Sequence, residues 1–338
     1  MPEVSIAFQT DKTPAQYIAL AKLVDQYDFD VVSVYCDAPF HPSYGPLLLM
    51  APHIHKARLG PAAVSPSRMQ PVDMAADTAL LASAAAGGAY LGLARGAWLE
   101  DHGVTEINRP IQAIRETILI VRKLLSGEAG GYQGELYKIA AYVRAPYPLP
   151  EKPVPIMIGS WGKKLCALAG ELADEVKVGG SANPDVVAVM QGYIAEGEQI
   201  AGRKVGSVRV VLGAVTVVDD DRAAARQAAR EAAVLYLPVV ASLDPTVKVE
   251  PELVERLRGH ADRGEAKEGA RLISDDLLDR FAFSGNAADL IAQAEQCFAA
   301  GAGRIEFGTP HGLVAETGIR IIGEQVIPAL RNTKFNAI

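Results

Sequence analysis

Cysteine is scarce in this sequence, and its placement excludes chemistry that depends on clustered thiols. The 338 residues include Cys36, Cys166 and Cys297, which are odd in number and far apart in the chain. They form neither a disulfide framework nor a CxxC motif for metal binding. We therefore predict reduced thiols and no metal site.

Long apolar runs and clusters of basic residues are also missing. No stretch of about 18 apolar residues is free of charges or turn signals, and the amino terminus shows no basic and apolar leader. We expect a cytoplasmic protein without a membrane partner. The formal net charge is -7 and the isoelectric point is about 5.5. A nucleic-acid partner is not expected, because proteins that bind a phosphate backbone usually carry a basic stripe, and none is visible here.

The sequence does contain a regular alternation of strand and helix patterns. With 338 residues and 49% hydrophobic composition, it suits one domain over residues 1–338. Strand patterns occur at residues 4–8, 31–35, 59–63, 89–93, 154–158, 175–178, 208–218 and 304–307. Eight such segments alternating with helices predict an α/β fold, a TIM (β/α)8 barrel whose active site lies on the loops that follow the strands.

Two segments interrupt the alternation. Residues 130–153 are rich in glycine, tyrosine and proline, which predicts a surface excursion with a small hairpin. Residues 238–280 are charged and loop-prone and contain no strand pattern up to residue 279. We interpret both as insertions at the barrel ends, and the second as a candidate cover for the barrel mouth.

The stretch from residue 154 to residue 180 contains the clearest candidate ligand loops. Gly159, Ser160, Trp161 and Gly162 follow a buried strand pattern, and Lys163 adds positive charge where a helix begins. Backbone amides at a helix start favour an anion, so this turn is a candidate phosphate cradle. A glycine turn after a buried strand also has a purely geometric role, and the local pattern favours neither interpretation.

The loop after the fourth strand pattern offers two further candidates. Arg95 can bind an anionic group, and Trp98 can form the wall against an aromatic ring. Both residues can equally be anchors of their own loop.

Four stretches together resemble a known family. They are LGPAAVSP, YLGLARG, VPIMIGSWGKKLCALAGELAD and FSGNAADLIAQAEQCFAAGAGRIEFGTPHG, and they extend from end to end of the predicted barrel. The chain resembles the bacterial-luciferase-like superfamily of TIM barrels, and within it most resembles the coenzyme F420-dependent methylene-tetrahydromethanopterin reductases. The third stretch is the most specific, because it matches in its glycine spacing and in the AGE-x-AD helix end.

The resemblance implies a deazaflavin or FMN along the barrel mouth. A non-proline cis peptide bond would lie at Ala63–Val64, with Ser65 after it and Cys36 beside the ring. The phosphate and tail of the cofactor would contact the cradle from Gly159 to Lys163, residues 308–312, and Gly179, Gly180 and Ser181. The resemblance also implies a homo-oligomer, either a dimer or a tetramer.

Departures from the family pattern concern the substrate side. Gln9 stands where the reductases have a glutamate suited to acid–base work, and an amide cannot donate a proton as a carboxylic acid does. Cys36 and Asp37 stand in place of an Asp-His pair. We predict Gln9, Asp37 and Glu100 as catalytic residues. The predicted substrate-binding residues are Phe40, His41, Trp98 and His311.

These features predict an F420-dependent oxidoreductase that transfers a hydride to a C=N carbon. The leading substrate class is a methylene-tetrahydropterin of the methanopterin or folate type. The alternatives are a reductase of a cyclic imine in secondary metabolism, an NADH-dependent methylene-tetrahydrofolate reductase, an FMN-dependent luciferase-like monooxygenase, and a barrel that binds an anionic ligand without catalysis. The cofactor is F420 in the first case, with FMN and NADH as alternatives. The expected partner is a small-molecule substrate.

Overall fold

Short segments rich in valine, isoleucine and leucine form the strands. The computed structural model describes residues 2–333, in which the strands are, in chain order, β1 (Glu3–Phe8), β2 (Val31–Val34), β3 (Arg58–Pro61), β4 (Leu91–Leu93), β5 (Tyr132–Gln133), β6 (Lys138–Ile139), β7 (Ile156–Gly159), β8 (Glu175–Gly179), β9 (Arg209–Val218), β10 (Ala282–Gly285) and β11 (Arg304–His311). Eight of these strands run parallel in the order β3, β2, β1, β11, β9, β8, β7, β4. Bridges from Leu59 to Ala89 and from Val64 to Leu93 join the two ends of the sheet. The predicted α/β barrel is therefore confirmed as a nearly closed parallel barrel.

Helices cover the outside of the barrel. They are α1 (Pro14–Val24), α2 (Tyr44–Met50), α3 (Pro71–Ala84), α4 (Pro110–Leu125), α5 (Lys163–Leu172), α6 (Asp185–Ile200), α7 (Arg222–Ala233), α8 (Leu237–Val240), α9 (Pro251–Asp262), α10 (Ala266–Ala270), α11 (Asp275–Phe281), α12 (Ala287–Ala299), α13 (Ala315–Ile321) and α14 (Ile327–Asn332). Helix α4 shows the common pattern: Pro110 occupies its first turn, and Ile114, Ile118 and Val121 are fully buried against the barrel. Across residues 2–333, no helix has the length and apolar content needed to cross a membrane.

The predicted strands are present with shifted ends. The third strand ends at Pro61 rather than at residue 63, and the last continues to His311 rather than ending at residue 307. Residue 1 and residues 334–338 of the predicted domain lie outside the described residues. A small antiparallel hairpin of β5 and β6 lies within residues 130–153, as expected.

The structure corrects the prediction of a loop over residues 238–279. This segment contains most of α8, all of α9 and α10 and most of α11, and β10 then pairs with residues 215–218 of β9 outside the barrel path. Helix α9 has 12 residues, whereas α8, α10 and α11 have 4, 5 and 7 residues and are too short to show a clear helical repeat in the sequence. Each buries a small apolar face: Leu257 and Leu278 are fully buried in a core shared with α7. Arg226 of α7 pairs with Asp275 at 2.7 Å and with Asp279 at 2.6 Å, which ties α11 back to α7.

Candidate active site

A cleft of about 720 Å³ opens at the carboxyl ends of the barrel strands. Its volume lies in the range of small-molecule and cofactor sites. Tyr35, Met157, Lys177 and Gly213 lie in or next to barrel strands, and we call them the cleft floor. We call the loops of residues 94–99 and 159–165, together with α8 and Leu243, the cleft rim. The cleft is thus at the end of the barrel where the sequence predicted the active site.

The cleft floor carries a buried charge. The Lys177 side chain is 8% exposed, and its ammonium forms a salt bridge with the fully buried Glu306. The same nitrogen lies 5.0 Å from the centre of the Tyr35 ring. Burial alone would raise the pKa of Glu306, but Lys177, Arg304 and a hydrogen bond from Ser33 hold it below its usual range. Glu306 is therefore a carboxylate at neutral pH.

Lys177 is the first member of an ion-pair series that continues through the barrel. Arg304 pairs with Glu306 at 3.5 Å and with Glu175 at 2.5 Å, and its guanidinium is fully buried. Further pairs at 2.6, 2.8 and 2.7 Å extend the contacts to the opposite end of the barrel. In order, the series is Lys177, Glu306, Arg304, Glu175, Arg209, Glu3 and Arg58. Cations and carboxylates alternate along it, and both of its ends are cationic.

The loop after β3 contributes Ala62, Ala63 and Ser65 to the cleft. The non-proline cis peptide bond is Ala62–Ala63, which corrects the expected Ala63–Val64 by one residue. The difference follows from the earlier end of β3, because the chain leaves the strand at Pro61. Val64 is buried and bridges to Leu93 instead of lining the cleft.

The glycine turn after β7 lies on the cleft rim. Gly159, Ser160, Trp161, Gly162 and Lys163 all line the cleft, with Gly162 as the residue before the first turn of α5. The Trp161 indole Nε1 donates a hydrogen bond to the carbonyl of Gly179 at 2.9 Å, which joins this turn to the end of β8. The predicted cradle is therefore a defined part of the cleft wall.

Gly179 and Gly180 also line the cleft, whereas Ser181 does not. Ser181 is buried, and its Oγ accepts a hydrogen bond from the backbone N–H of Asn183 at 3.2 Å. Lys163 forms a salt bridge with Glu196 at 2.6 Å on the protein surface. The neighbouring Lys164 is exposed and also lines the cleft, so positive charge is available at this side.

The loop after β4 forms another part of the rim. Arg95 lines the cleft and forms a bidentate salt bridge with Glu106, with N–O distances of 2.8 and 3.0 Å. The Trp98 ring meets the Tyr236 ring edge to face at 6.3 Å between centroids. Trp98 lines the cleft beside this contact. Glu100 lies in a 3₁₀ turn, exposed and away from the lining.

The substrate-side candidates occupy different positions. Asp37 and Cys36 line the cleft. Gln9 is 8% exposed and does not line the cleft; its Nε2 donates to Asp37 Oδ2 at 3.3 Å, and its Oε1 accepts from the backbone N–H of Thr10 at 2.9 Å. Gln9 therefore orients the Asp37 carboxylate, and Asp37 lines the cleft.

Three predicted substrate contacts lie outside the cleft lining. Phe40 and His41 are exposed on the loop after β2. His311 is buried; its Nε2 lies 3.0 Å from the carbonyl of Ala7 and donates to it, and its ring packs against Phe8. Burial lowers the pKa of His311 to about 4, so the ring is neutral at pH 7.

Sequence analysis missed Lys177, Tyr236 and the apolar residues Val239 and Leu243 of the rim. One signal for Lys177 was present. Strand β8 reads Glu-Val-Lys-Val-Gly, so charged side chains alternate with valines in a strand whose two faces are both expected to be buried.

Comparison with known proteins agrees with this geometry. The family described as Luciferase-like monooxygenase matches residues 2–304, and the chain therefore belongs to this family and is a luciferase-like oxidoreductase. The 5,10-methylenetetrahydromethanopterin reductase of Archaeoglobus fulgidus is 29% identical over 320 residues, which span 92% of this chain and 94% of that protein.

Two solved structures share the fold. The coenzyme F420-dependent tetrahydromethanopterin reductase from Methanopyrus kandleri has a TM-score of 0.88 at 23% identity, covering 97% of this chain and 99% of that one. An F420-dependent secondary alcohol dehydrogenase, in complex with an F420-acetone adduct, has a TM-score of 0.78 at 19% identity, covering 98% and 99%. These structures show the same fold, and the family match over residues 2–304 confirms the predicted superfamily.

Proposed function

We propose that this chain is a coenzyme F420-dependent oxidoreductase that transfers a hydride from reduced F420 to a C=N carbon. The proposed substrate class is a methylene-tetrahydropterin of the methanopterin or folate type. The observation that carries the proposal is the similarity to a methylenetetrahydromethanopterin reductase over 92% of the chain, which includes the loops that line the cleft.

The residues of the cleft suit a phosphate-bearing, ring-containing cofactor. A Cβ atom built on Gly179 meets no atom within 4 Å, so the wall beside the cradle is open space. The start of α5 and the ammonium groups of Lys163 and Lys164 favour a phosphate there. When bound, reduced F420 would supply the hydride, and the chain would supply binding and orientation.

The chain's own groups have separable roles in this proposal. The Asp37 carboxyl group, when protonated, donates its proton to a substrate nitrogen and becomes a carboxylate, and Gln9 orients this group through the hydrogen bond to Oδ2. Val239 and Leu243 of the rim exclude water from the cleft, while Trp98 provides a flat wall. Close alignment of two rings does most of the work, because hydride transfer needs no protein nucleophile.

A second candidate follows from Gln9. An amide at the position of the expected glutamate favours a substrate whose nitrogen is recognised differently, such as a cyclic imine. The two candidates share cofactor and reaction type, so turnover assays separate them directly.

The decisive measurement is ligand binding followed by turnover. Titration with F420 is expected to shift or quench the cofactor's optical signal, and turnover is expected with reduced F420 and a methylene-tetrahydropterin. NADH and NADPH are tested as reductants, and a cyclic imine as substrate. Absence of any optical change with F420 would refute the proposal. A protein that instead purifies with bound FMN and consumes oxygen would be a monooxygenase.

Asp37→Asn tests the assigned proton donor. Loss of general acid catalysis is expected to lower kcat by about 10² to 10⁴-fold while the Kd for F420 stays unchanged. Glu100→Gln is the matched control, because Glu100 is an exposed carboxylate outside the cleft lining. Equal kcat values for Asp37→Asn and the wild type would remove Asp37 from the mechanism.

A further inference from the structure

Lys177 differs from the other charged residues of the cleft. Among the charged residues that line it in the described part of the chain, Lys177 alone is buried, with a side chain that is 8% exposed. The others are exposed or partly exposed: Asp37, Arg68, Arg95, Lys163 and Lys164. Burying a charge is costly unless the charge is paired, and even a paired charge is often no more stabilising than apolar side chains of the same volume. A buried ammonium on the cleft floor therefore calls for an explanation beyond stability.

The ammonium group is held in place by its neighbours. Glu306 accepts one hydrogen bond from it, and Tyr35 presents its ring at 5.0 Å. The aliphatic part lies against Gly213, where an added Cβ would approach Lys177 Cε to 3.1 Å. A lysine ammonium has three N–H donors. Donors not used by Glu306 are thus available at a surface that lines the cleft.

Glu306 does not depend on Lys177 alone for its charge compensation. The Ser33 hydroxyl donates to Glu306 Oε2 at 2.5 Å, and the Arg304 guanidinium lies 3.5 Å from the same oxygen. Lys177 is also the terminal cation of the ion-pair series, in which four cations alternate with three carboxylates. The end of the series that meets the cleft is therefore positive.

We propose that Lys177 is the residue that selects the cofactor ring: its Nζ donates a hydrogen bond to a negatively charged oxygen of the deazaflavin. This inference rests on the proposed function. Oxidised F420 has an acidic ring hydroxyl, and a nearby ammonium stabilises the anion formed when that hydroxyl loses its proton. The oxidised nicotinamide ring carries a positive charge and is repelled by the same ammonium. Lys177 thereby favours a deazaflavin over a nicotinamide on the cleft floor.

The test measures the ionisation of F420 bound to the protein. Visible absorbance of bound oxidised F420 is recorded against pH for the wild type, Lys177→Met and Lys163→Met. The wild type is expected to lower the pKa of the ring hydroxyl relative to the free cofactor. Lys177→Met is expected to raise it again by about one unit or more and to weaken binding of the oxidised cofactor about tenfold. Lys163→Met, which removes an exposed cation from the proposed phosphate cradle, is expected to weaken F420 binding but to leave the pKa of the ring hydroxyl of the bound cofactor unchanged.

A double variant keeps the test valid if Lys177→Met, which leaves the buried Glu306 without its salt-bridge partner, fails to fold. Lys177→Met/Glu306→Gln removes both charges of the buried pair and is expected to show the same shift in ring ionisation as Lys177→Met. If the wild type binds F420 and both variants give the wild-type titration curve, the inference is overturned while the proposed function stands. If the wild type binds no F420, the proposed function itself fails, and the inference fails with it.

Discussion

The cleft floor and the cleft rim both carry ion pairs, but in different surroundings. On the floor side, Arg304 and Glu175 are almost completely buried and 2.5 Å apart. On the rim, Arg95 and Glu106 are 2.8 Å apart with side chains 55% and 33% exposed. The geometry is similar, yet solvent screens the second pair and hardly reaches the first. Breaking the buried pair should therefore lower the free energy of unfolding much more than breaking the exposed pair.

The largest effect is expected from Arg304→Met. Loss of this guanidinium leaves Glu175 and Glu306 less compensated inside the barrel, and breaking a buried ion pair costs about 3–5 kcal/mol. The free energy of unfolding, measured by urea denaturation, should fall by that order. Arg95→Met is the matched control, with an expected loss of about 1 kcal/mol or less. Similar losses in both variants would contradict the distinction between floor and rim.

A smaller effect is expected from the protonation of His311. Its pKa is about 4 in the folded chain, against 6.5 for an ordinary histidine, so the unfolded chain binds a proton that the folded chain does not. Stability is therefore lost as the pH falls from 6.5 towards 4, by about 3 kcal/mol in total. Urea denaturation at several pH values measures this slope.

His311→Gln should remove that part of the pH dependence, because glutamine does not titrate and its amide can still donate to the carbonyl of Ala7. His41→Gln, at an exposed position on the loop after β2, should retain the wild-type profile. An unchanged slope in His311→Gln would show that other groups cause the loss of stability in acid.

The smallest effect is expected from Gly179→Ala. The added methyl group meets no protein atom within 4 Å and projects into open space at the cleft wall. Affinity for F420, measured by fluorescence titration, should fall about tenfold, because one misplaced methyl group in a binding site costs about 1–3 kcal/mol. Stability should change little.

Gly192→Ala is the control for Gly179→Ala. This position in α6 is exposed and also has open space around it. Alanine should raise the free energy of unfolding by about 0.5–1 kcal/mol through helix propensity and leave affinity unchanged. If both variants bind F420 equally well, Gly179 does not border the ligand.

The barrel strands and the glycine cradle could be predicted because their signals are local. A buried parallel strand is a short apolar run, and the turn from Gly159 to Gly162 follows such a run directly. The same logic places Asp37, Arg95 and Trp98 after strands, and all three line the cleft.

Lys177 and the direction of Gln9 could not be predicted in this way. The partner of Lys177, Glu306, is 129 residues away and reaches it only after the barrel closes. Gln9 turns towards Asp37 because of a hydrogen bond between two loops, and no spacing in the sequence encodes that contact. Helices α9 to α11 were missed because the apolar residues that they bury meet those of α7 in one shared core only after the chain has folded.

The contact of α11 with α7 has a consequence for how such enzymes diversify. Helix α7 already makes the crossover from β9 to β10, so the excursion from α8 to α11 exceeds what the barrel connection requires. Arg226 of α7, the helix before this excursion, pairs with Asp275 and Asp279 of α11 at its end. A loop whose ends are held together can change length at little entropic cost, since doubling the length of a loop raises its closure free energy by only about 0.6 kcal/mol. Helix α8 borders the cleft, so replacing the segment from α8 to α11 offers a route to new substrate preferences on an unchanged barrel.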